Sequence, residues 1–154
     1  MINNQAIFAA GCFWGVEETF RKVRGVYSTS VGYCGGNKEN PTYEEVCSDF
    51  TGHAEVVLIK FNPKIISYLS LLSEFWLCHD PTTMNQQGKN IGSQYRSAVF
   101  YLDEHQKNDA IKSKERHSIK NKINVVTEIT KATEFYLAEE YHQKYVQKMY
   151  EKSN

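Results

Sequence analysis

The sequence has no CxxC pair, no excess of either charge, and no apolar run near the roughly 18 residues of a membrane helix. Each absence excludes something. Lys plus Arg equals Asp plus Glu at 18 each, so no basic surface argues for nucleic acid and none for an acidic membrane. Four cysteines, Cys12, Cys34, Cys47 and Cys78, have spacings that fit neither a secreted disulfide framework nor a metal knuckle, and a reducing compartment is the simpler reading. The start, Met1-Ile2-Asn3-Asn4-Gln5, has neither a basic region nor a long apolar stretch, so a soluble, cytoplasmic protein is expected. There is no repeat, linker or low-complexity segment, and 154 residues suit one domain, 1–154, with a full core.

What is present centres on Gly11-Cys12-Phe13-Trp14-Gly15. Ile7 to Ala10 reads as a short buried strand, and Gly11 permits a tight junction into a helix. Phe13, Val16, Phe20 and Val23 recur at helical spacing, Glu17 and Glu18 precede Arg21, Lys22 and Arg24, and Gly25 ends the helix. Cys12 then stands at a helix N-terminus, where unpaired backbone N–H groups draw a thiol pKa down from about 8.5 toward neutrality. It reads as a reactive cysteine.

Further along, Val26 to Tyr33 alternates as a strand, Tyr43 to Cys47 forms a short segment, and His53 to Phe61 is apolar enough for a central strand. Asn62-Pro63 caps a helix running from about Lys64 to Cys78, with Ile65, Leu69, Leu72 and Trp76 on its apolar face. His79 to Gln94 has no apolar period, and a loop of that length in a compact domain is expected to be functional. After it come a strand, Ser97 to Leu102, a capping box at Asp103 and Gln106, and an exposed helix from Glu104 to Lys120. A strand with Val125, Thr127 and Ile129 and a helix from Ala138 to Lys152 complete the chain. This order predicts an α+β sandwich of the split βαβ type with additional C-terminal elements.

A reactive thiol can serve a hydrolase, a disulfide oxidoreductase or a sulfoxide reductase, and its companions decide. A hydrolase wants a His base, yet His53, His79 and His142 carry no local sign of that role. A disulfide oxidoreductase wants a second cysteine where Gly15 stands. Reduction of a sulfoxide needs a thiolate, a proton donor and an apolar pocket, all of which are available. Glu55, between Ala54 and Val56 on a buried strand, should hold its proton near neutral pH. Phe13 and Trp14 offer apolar walls, and Tyr43 and Tyr95 offer hydroxyls.

GCFWG at 11–15, GYCGG at 32–36, NPTYEEVC at 40–47, TGHAEVV at 51–57, HDPT at 79–82, GSQYRSA at 92–98 and FYLAEEYHQKY at 135–145 together resemble the peptide methionine sulfoxide reductase A family. The resemblance spans nearly the whole chain. It implies a ferredoxin-like α+β core and reduction of the S epimer of methionine sulfoxide, free or in proteins. It makes Cys12 the nucleophile, Glu55 the proton donor, Phe13 and Trp14 the methyl cradle, and Tyr43 and Tyr95 the donors to the sulfoxide oxygen. Cys12 would be left as a sulfenic acid for a thiol to restore, with no metal or organic cofactor.

Two departures stand out. Asn90 occupies a substrate-pocket position where many relatives have an acidic residue, and the final residues, Tyr150 to Asn154, lack the resolving cysteines that many relatives carry. Cys34, in a glycine loop, is therefore the first internal candidate for a resolving thiol. Cys47 reads as structural and Cys78 as core. Thioredoxin, or glutathione with glutaredoxin, is the expected external reductant, and a monomer is expected. The rival reading is a module that binds oxidised methionine without turnover.

Overall fold

The computed structural model describes residues 4–153, so the readings that rest on Met1–Asn3 and Asn154 lie outside the described residues. Strands β1 (Gln5–Ala10), β2 (Val26–Cys34), β3 (Ala54–Phe61), β4 (Gln86–Gln87), β5 (Asn90–Ile91), β6 (Ser97–Tyr101), β7 (Glu128–Lys131) and β8 (Tyr136–Leu137) alternate with five α-helices. These are α1 (Phe13–Arg21), α2 (Tyr43–Cys47), α3 (Tyr68–Leu77), α4 (Glu104–Asn121) and α5 (Tyr145–Ser153). Six strands form one sheet in the order β7-β6-β1-β3-β2-β8, while β4 and β5 make a separate hairpin. Every pairing in the large sheet is antiparallel except β6 with β7.

Strand alternation divides the core in two. Ala6, Phe8, Ala10, Val31, Tyr33, Val57, Ile59 and Val99 pack with Phe13, Val16 and Phe20 of α1 and with Leu71, Leu72 and Phe75 of α3. Burying a ring such as Phe8 or Phe75 contributes on the order of 2 kcal/mol. The opposite face carries Ile7, Ala9, Cys34, Ala54, Val56, Ala98 and Phe100, covered in part by Phe135 and Ala132.

Several expected boundaries move. The α3 helix starts at Tyr68, because Asn62 is spent on a turn that takes the Lys64, Ile65 and Ile66 amides, and Ser67 is the cap that accepts from Ser70 N at 3.1 Å. Its buried face is Tyr68, Leu71, Leu72, Phe75 and Trp76, leaving Ile65 and Leu69 exposed. At α4, Asp103 accepts from Gln106 N at 2.8 Å, but the Gln106 side chain bonds Leu102 N and Gln5 O, not the cap residue's own amide. Val125 and Thr127 are buried ahead of β7 and lie outside it.

The expected helix from Ala138 to Lys152 is broken. After β8 come a 3₁₀ turn, Glu140–His142, and a left-handed Lys144 at φ +55°, and only then α5. Tertiary bonds override the helical pattern here: the Gln143 side chain bonds both Val31 N and Val31 O, and Lys144 N donates to Glu17 Oε1.

Candidate active site

The site forms where β1 ends and α1 begins. Gly11 has φ +97°, and a Cβ there would lie 2.7 Å from Gln87 Cγ, so glycine is required both by the turn and by the loop packed on it. Gln87 is itself fixed, since its amide group bonds both Asp80 N and Asp80 O at 2.8 Å. The chain then enters α1 with Cys12 as its N-cap residue, half-buried.

Burial pushes the Cys12 thiol pKa up, the Trp14 and Gly15 amides pull it down, and the nearby Glu55 carboxylate pushes it up again. Upward terms win. The expectation of a thiol drawn toward neutrality is therefore corrected: desolvation outweighs the helix start in the resting protein.

Glu55 lies on β3, on the sheet face that carries Val57 and Ile59, and is 1% exposed. Its Oε1 accepts from Phe13 N at 3.2 Å, which sets the carboxyl against the residue that follows Cys12. Among the described residues, Oε2 has no hydrogen-bond partner. Burial raises the Glu55 pKa to about 7, against a small downward pull from the Phe13 amide. The carboxyl holds a proton at an ionisation poised for transfer near neutral pH.

Tyr43 opens α2, which is capped by a reciprocal pair: Glu45 N donates to Thr42 Oγ1 at 3.2 Å and Thr42 N to Glu45 Oε1 at 3.0 Å. Its ring stacks on Phe13 at 6.5 Å, and burial, then the neighbouring Cys47 and Glu55, raise its pKa. Tyr95 ends a 3₁₀ turn, Ser93–Tyr95, held by Arg96, which donates to Ser93 O at 2.8 Å and to Gly52 O, just ahead of β3, at 3.0 Å. Burial raises the Tyr95 pKa too, followed by the charges of Glu55, Cys47 and Cys12. Both phenols remain proton donors near neutral pH. Thiol, carboxyl and two hydroxyls thus converge from four separate stretches of chain.

The two aromatics beside Cys12 differ. Phe13 is 1% exposed and packs on Tyr33, Tyr43 and His142 beneath the site. Trp14 is half-buried, donates from Nε1 to His142 Nδ1 at 2.9 Å, and stacks on Tyr145 with centroids 3.8 Å apart. Asn90 is exposed on β5, opposite Gln87, and no described contact joins it to Cys12 or Glu55. Cys34 is fully buried on the sheet face away from Phe13, its thiol donating to Thr133 O at 3.5 Å.

Sequence reasoning assigned no role to the residues that brace these groups. Glu139 accepts from Tyr33 OH at 2.8 Å and from Tyr43 N at 2.9 Å. His142 is fully buried, and burial lowers its pKa, so the ring is neutral with Nδ1 accepting from Trp14 and the proton on Nε2. Glu17, 1% exposed, accepts from Thr29 Oγ1 at 2.8 Å and pairs with Lys144 Nζ at 2.9 Å. The signal was the density of polar residues in 139–144, which a helix with one apolar side does not need. His53 and His79 are structural: His53 bridges Gly36 N and Lys38 O, and His79 bridges Phe75 O and Ser97 Oγ.

A thiol at a helix start, set beside a buried carboxylic acid and two phenols on an α+β scaffold, defines a thiol-based oxidoreductase. The comparisons agree. The family model described as peptide methionine sulfoxide reductase matches residues 4–154. Peptide methionine sulfoxide reductase MsrA of Methanosarcina acetivorans is 56% identical over 148 residues, 94% of this chain and 78% of that protein. The reduced form of Mxr1 from Saccharomyces cerevisiae superposes with a TM-score of 0.87 at 37% identity, covering 94% of this chain and 84% of that one. Mxr1 in complex with Trx2 matches with a TM-score of 0.65 at 27% identity, over 92% of this chain and 83% of that one. This chain belongs to the peptide methionine sulfoxide reductase family.

Proposed function

We propose that this chain reduces the S epimer of methionine sulfoxide, free or within proteins, to methionine. The observation that carries the reading is the Phe13 N to Glu55 Oε1 hydrogen bond of 3.2 Å, which seats a protonatable carboxyl beside the reactive cysteine. Glu55 gives its proton to the sulfoxide oxygen while Cys12 attacks the sulfur, forming an S–S bond to an oxygen-bearing sulfonium-like centre. The hydroxyl passes to Cys12, methionine leaves with two electrons from the thiol, and Cys12 is left as sulfenic acid. Tyr43 and Tyr95 hydrogen-bond the oxygen, Trp14 with Phe13 beneath it receives the methyl group, and Asn90 lies at the rim. Carboxyl protonation also relieves Cys12 of a neighbouring negative charge, so the thiolate forms more readily with Glu55 neutral.

An external thiol closes the cycle, and no metal or organic cofactor takes part. The complex of Mxr1 with Trx2 supports a thioredoxin as reductant, with glutathione and glutaredoxin the alternative. We read residues 1–154 as one cytoplasmic, monomeric domain. The order β6-β1-β3-β2, with α1 and α3 packed on one face, supports its ferredoxin-like description. Among the described residues, no helix is long and apolar enough to cross a membrane.

The test is to incubate the protein and a dithiol with a peptide carrying each sulfoxide epimer separately, and to measure methionine. Turnover of the S epimer alone is expected. Turnover of the R epimer at an equal rate, or binding of the S epimer without any methionine, would falsify the reading.

A further inference from the structure

We infer that Cys47 is the thiol that resolves oxidised Cys12, by forming a Cys12–Cys47 disulfide; this rests on the sulfoxide-reductase reading. Three cysteines could serve, and their surroundings separate them. Cys34 is fully exposed to nothing: it is buried on the far face of the sheet from Phe13 and is bonded to Thr133. Cys78 is half-buried at the end of α3, with its thiol donating to Phe75 O at 3.3 Å and burial raising its pKa to about 12.

Cys47 is different on every count. It is the last residue of α2, it is exposed, and its thiol lies beside the Tyr43 side chain. Tyr43 stacks on Phe13, the residue next to Cys12. The Glu55 carboxylate acts on both thiols, and the charge of Cys47 is felt at Cys12.

A disulfide requires Cα atoms within about 7 Å. Closing it asks α2 to shift toward Cys12, and α2 is a five-residue helix followed by a left-handed Asp49 and by Phe50, which is 93% exposed. Val46 and Tyr43 are the two core-packed side chains of α2 that have to follow Cys47.

The chemistry balances without a further oxidant. The Cys47 thiolate attacks the sulfur of the Cys12 sulfenic acid, an S–S bond forms, the S–O bond breaks, and the hydroxide leaves as water with the proton that Cys47 gave up. A dithiol reductant then takes the disulfide over by exchange and restores both thiols. Because Cys47 is exposed, the disulfide stays open to that reductant.

The experiment is a single turnover of the reduced full chain with an S-epimer peptide and no reductant, counting methionine released and thiols lost, then mapping linked peptides. Two thiols lost per methionine, with Cys12 joined to Cys47, is the expected result. Cys47→Ser should lose one thiol per methionine and leave Cys12 reactive to a sulfenic-acid trap, whereas Cys34→Ala should still lose two. One thiol lost in the unmodified chain, or a link from Cys12 to Cys34 or Cys78, overturns the proposal. No methionine from the unmodified chain overturns the underlying reading instead, and the proposal with it.

Discussion

Glu55 is costly to the fold in the same ionisation state that leaves it useless as an acid. Its pKa rises from 4.5 to about 7 through burial, so the folded protein holds a proton that the unfolded chain has already released at pH 6. For a carboxyl raised in this way, the stabilising contribution is complete below pH 4.5 and is lost as pH rises through about 7. Activity that depends on the protonated acid should decline over that upper limb. Glu55→Gln is expected to lower kcat by roughly 10²–10⁴-fold while raising the urea midpoint at pH 8 and leaving it nearly unchanged at pH 4. Equal midpoint shifts at the two pH values would sink this account. Cys12 was legible as the nucleophile from its glycine and its helix start; its raised resting pKa was not, because burial depends on Glu55 and on loops remote in sequence.

At the scale of elements, the site depends on short pieces locked together by a few contacts. Gly11→Ala forces a left-handed Cβ into Gln87, and should cost about 1–3 kcal/mol and displace the segment that ends in Tyr95. Thermal unfolding together with turnover would register both effects. Glu139 holds Tyr33 OH and Tyr43 N with two different oxygens, so Glu139→Gln keeps one acceptor and loses the other. A several-fold rise in KM with little change in melting temperature is expected, and an unchanged KM would remove Glu139 from the positioning of Tyr43. The elements themselves were readable in proportion to how local their causes are. The helix through Val16 and Phe20 follows from periodicity, and the strand through Val56 and Ile59 from its unbroken apolar run. On the expected α3 face Leu72 and Trp76 are buried and Leu69 is exposed, while Ile65 falls outside the helix because Asn62-Pro63 closes a turn before it and Ser67 takes over as cap. Nothing local in Ala138 to Lys152 announces that Gln143 will be drawn into hydrogen bonds with Val31.

Across the whole molecule, β1 and β3 lie in the middle of the six-stranded sheet and α1 and α3 cover one of its faces. Hydrogen exchange should therefore be slowest in Phe8, Val57 and Ile59 and fastest in the hairpin of β4 and β5, whose residues are half-buried or exposed. Mass spectrometry of exchanged peptides would test the ranking, and early exchange of β3 would contradict it. Glu17→Ala should lower global stability by about 1–3 kcal/mol, because it leaves the buried Thr29 hydroxyl without its acceptor and the half-buried Lys144 without its carboxylate.

The strap from Glu139 to Tyr145 is made long after the residues it touches: Glu139 holds Tyr43, His142 holds Trp14, Lys144 holds Glu17 and Tyr145 lies on Trp14. During synthesis, then, the ribosome exposes a chain whose Cys12 has been translated long before its walls. The site is complete only once that strap has emerged, and until then Cys12 is a plain cysteine in an unfinished protein.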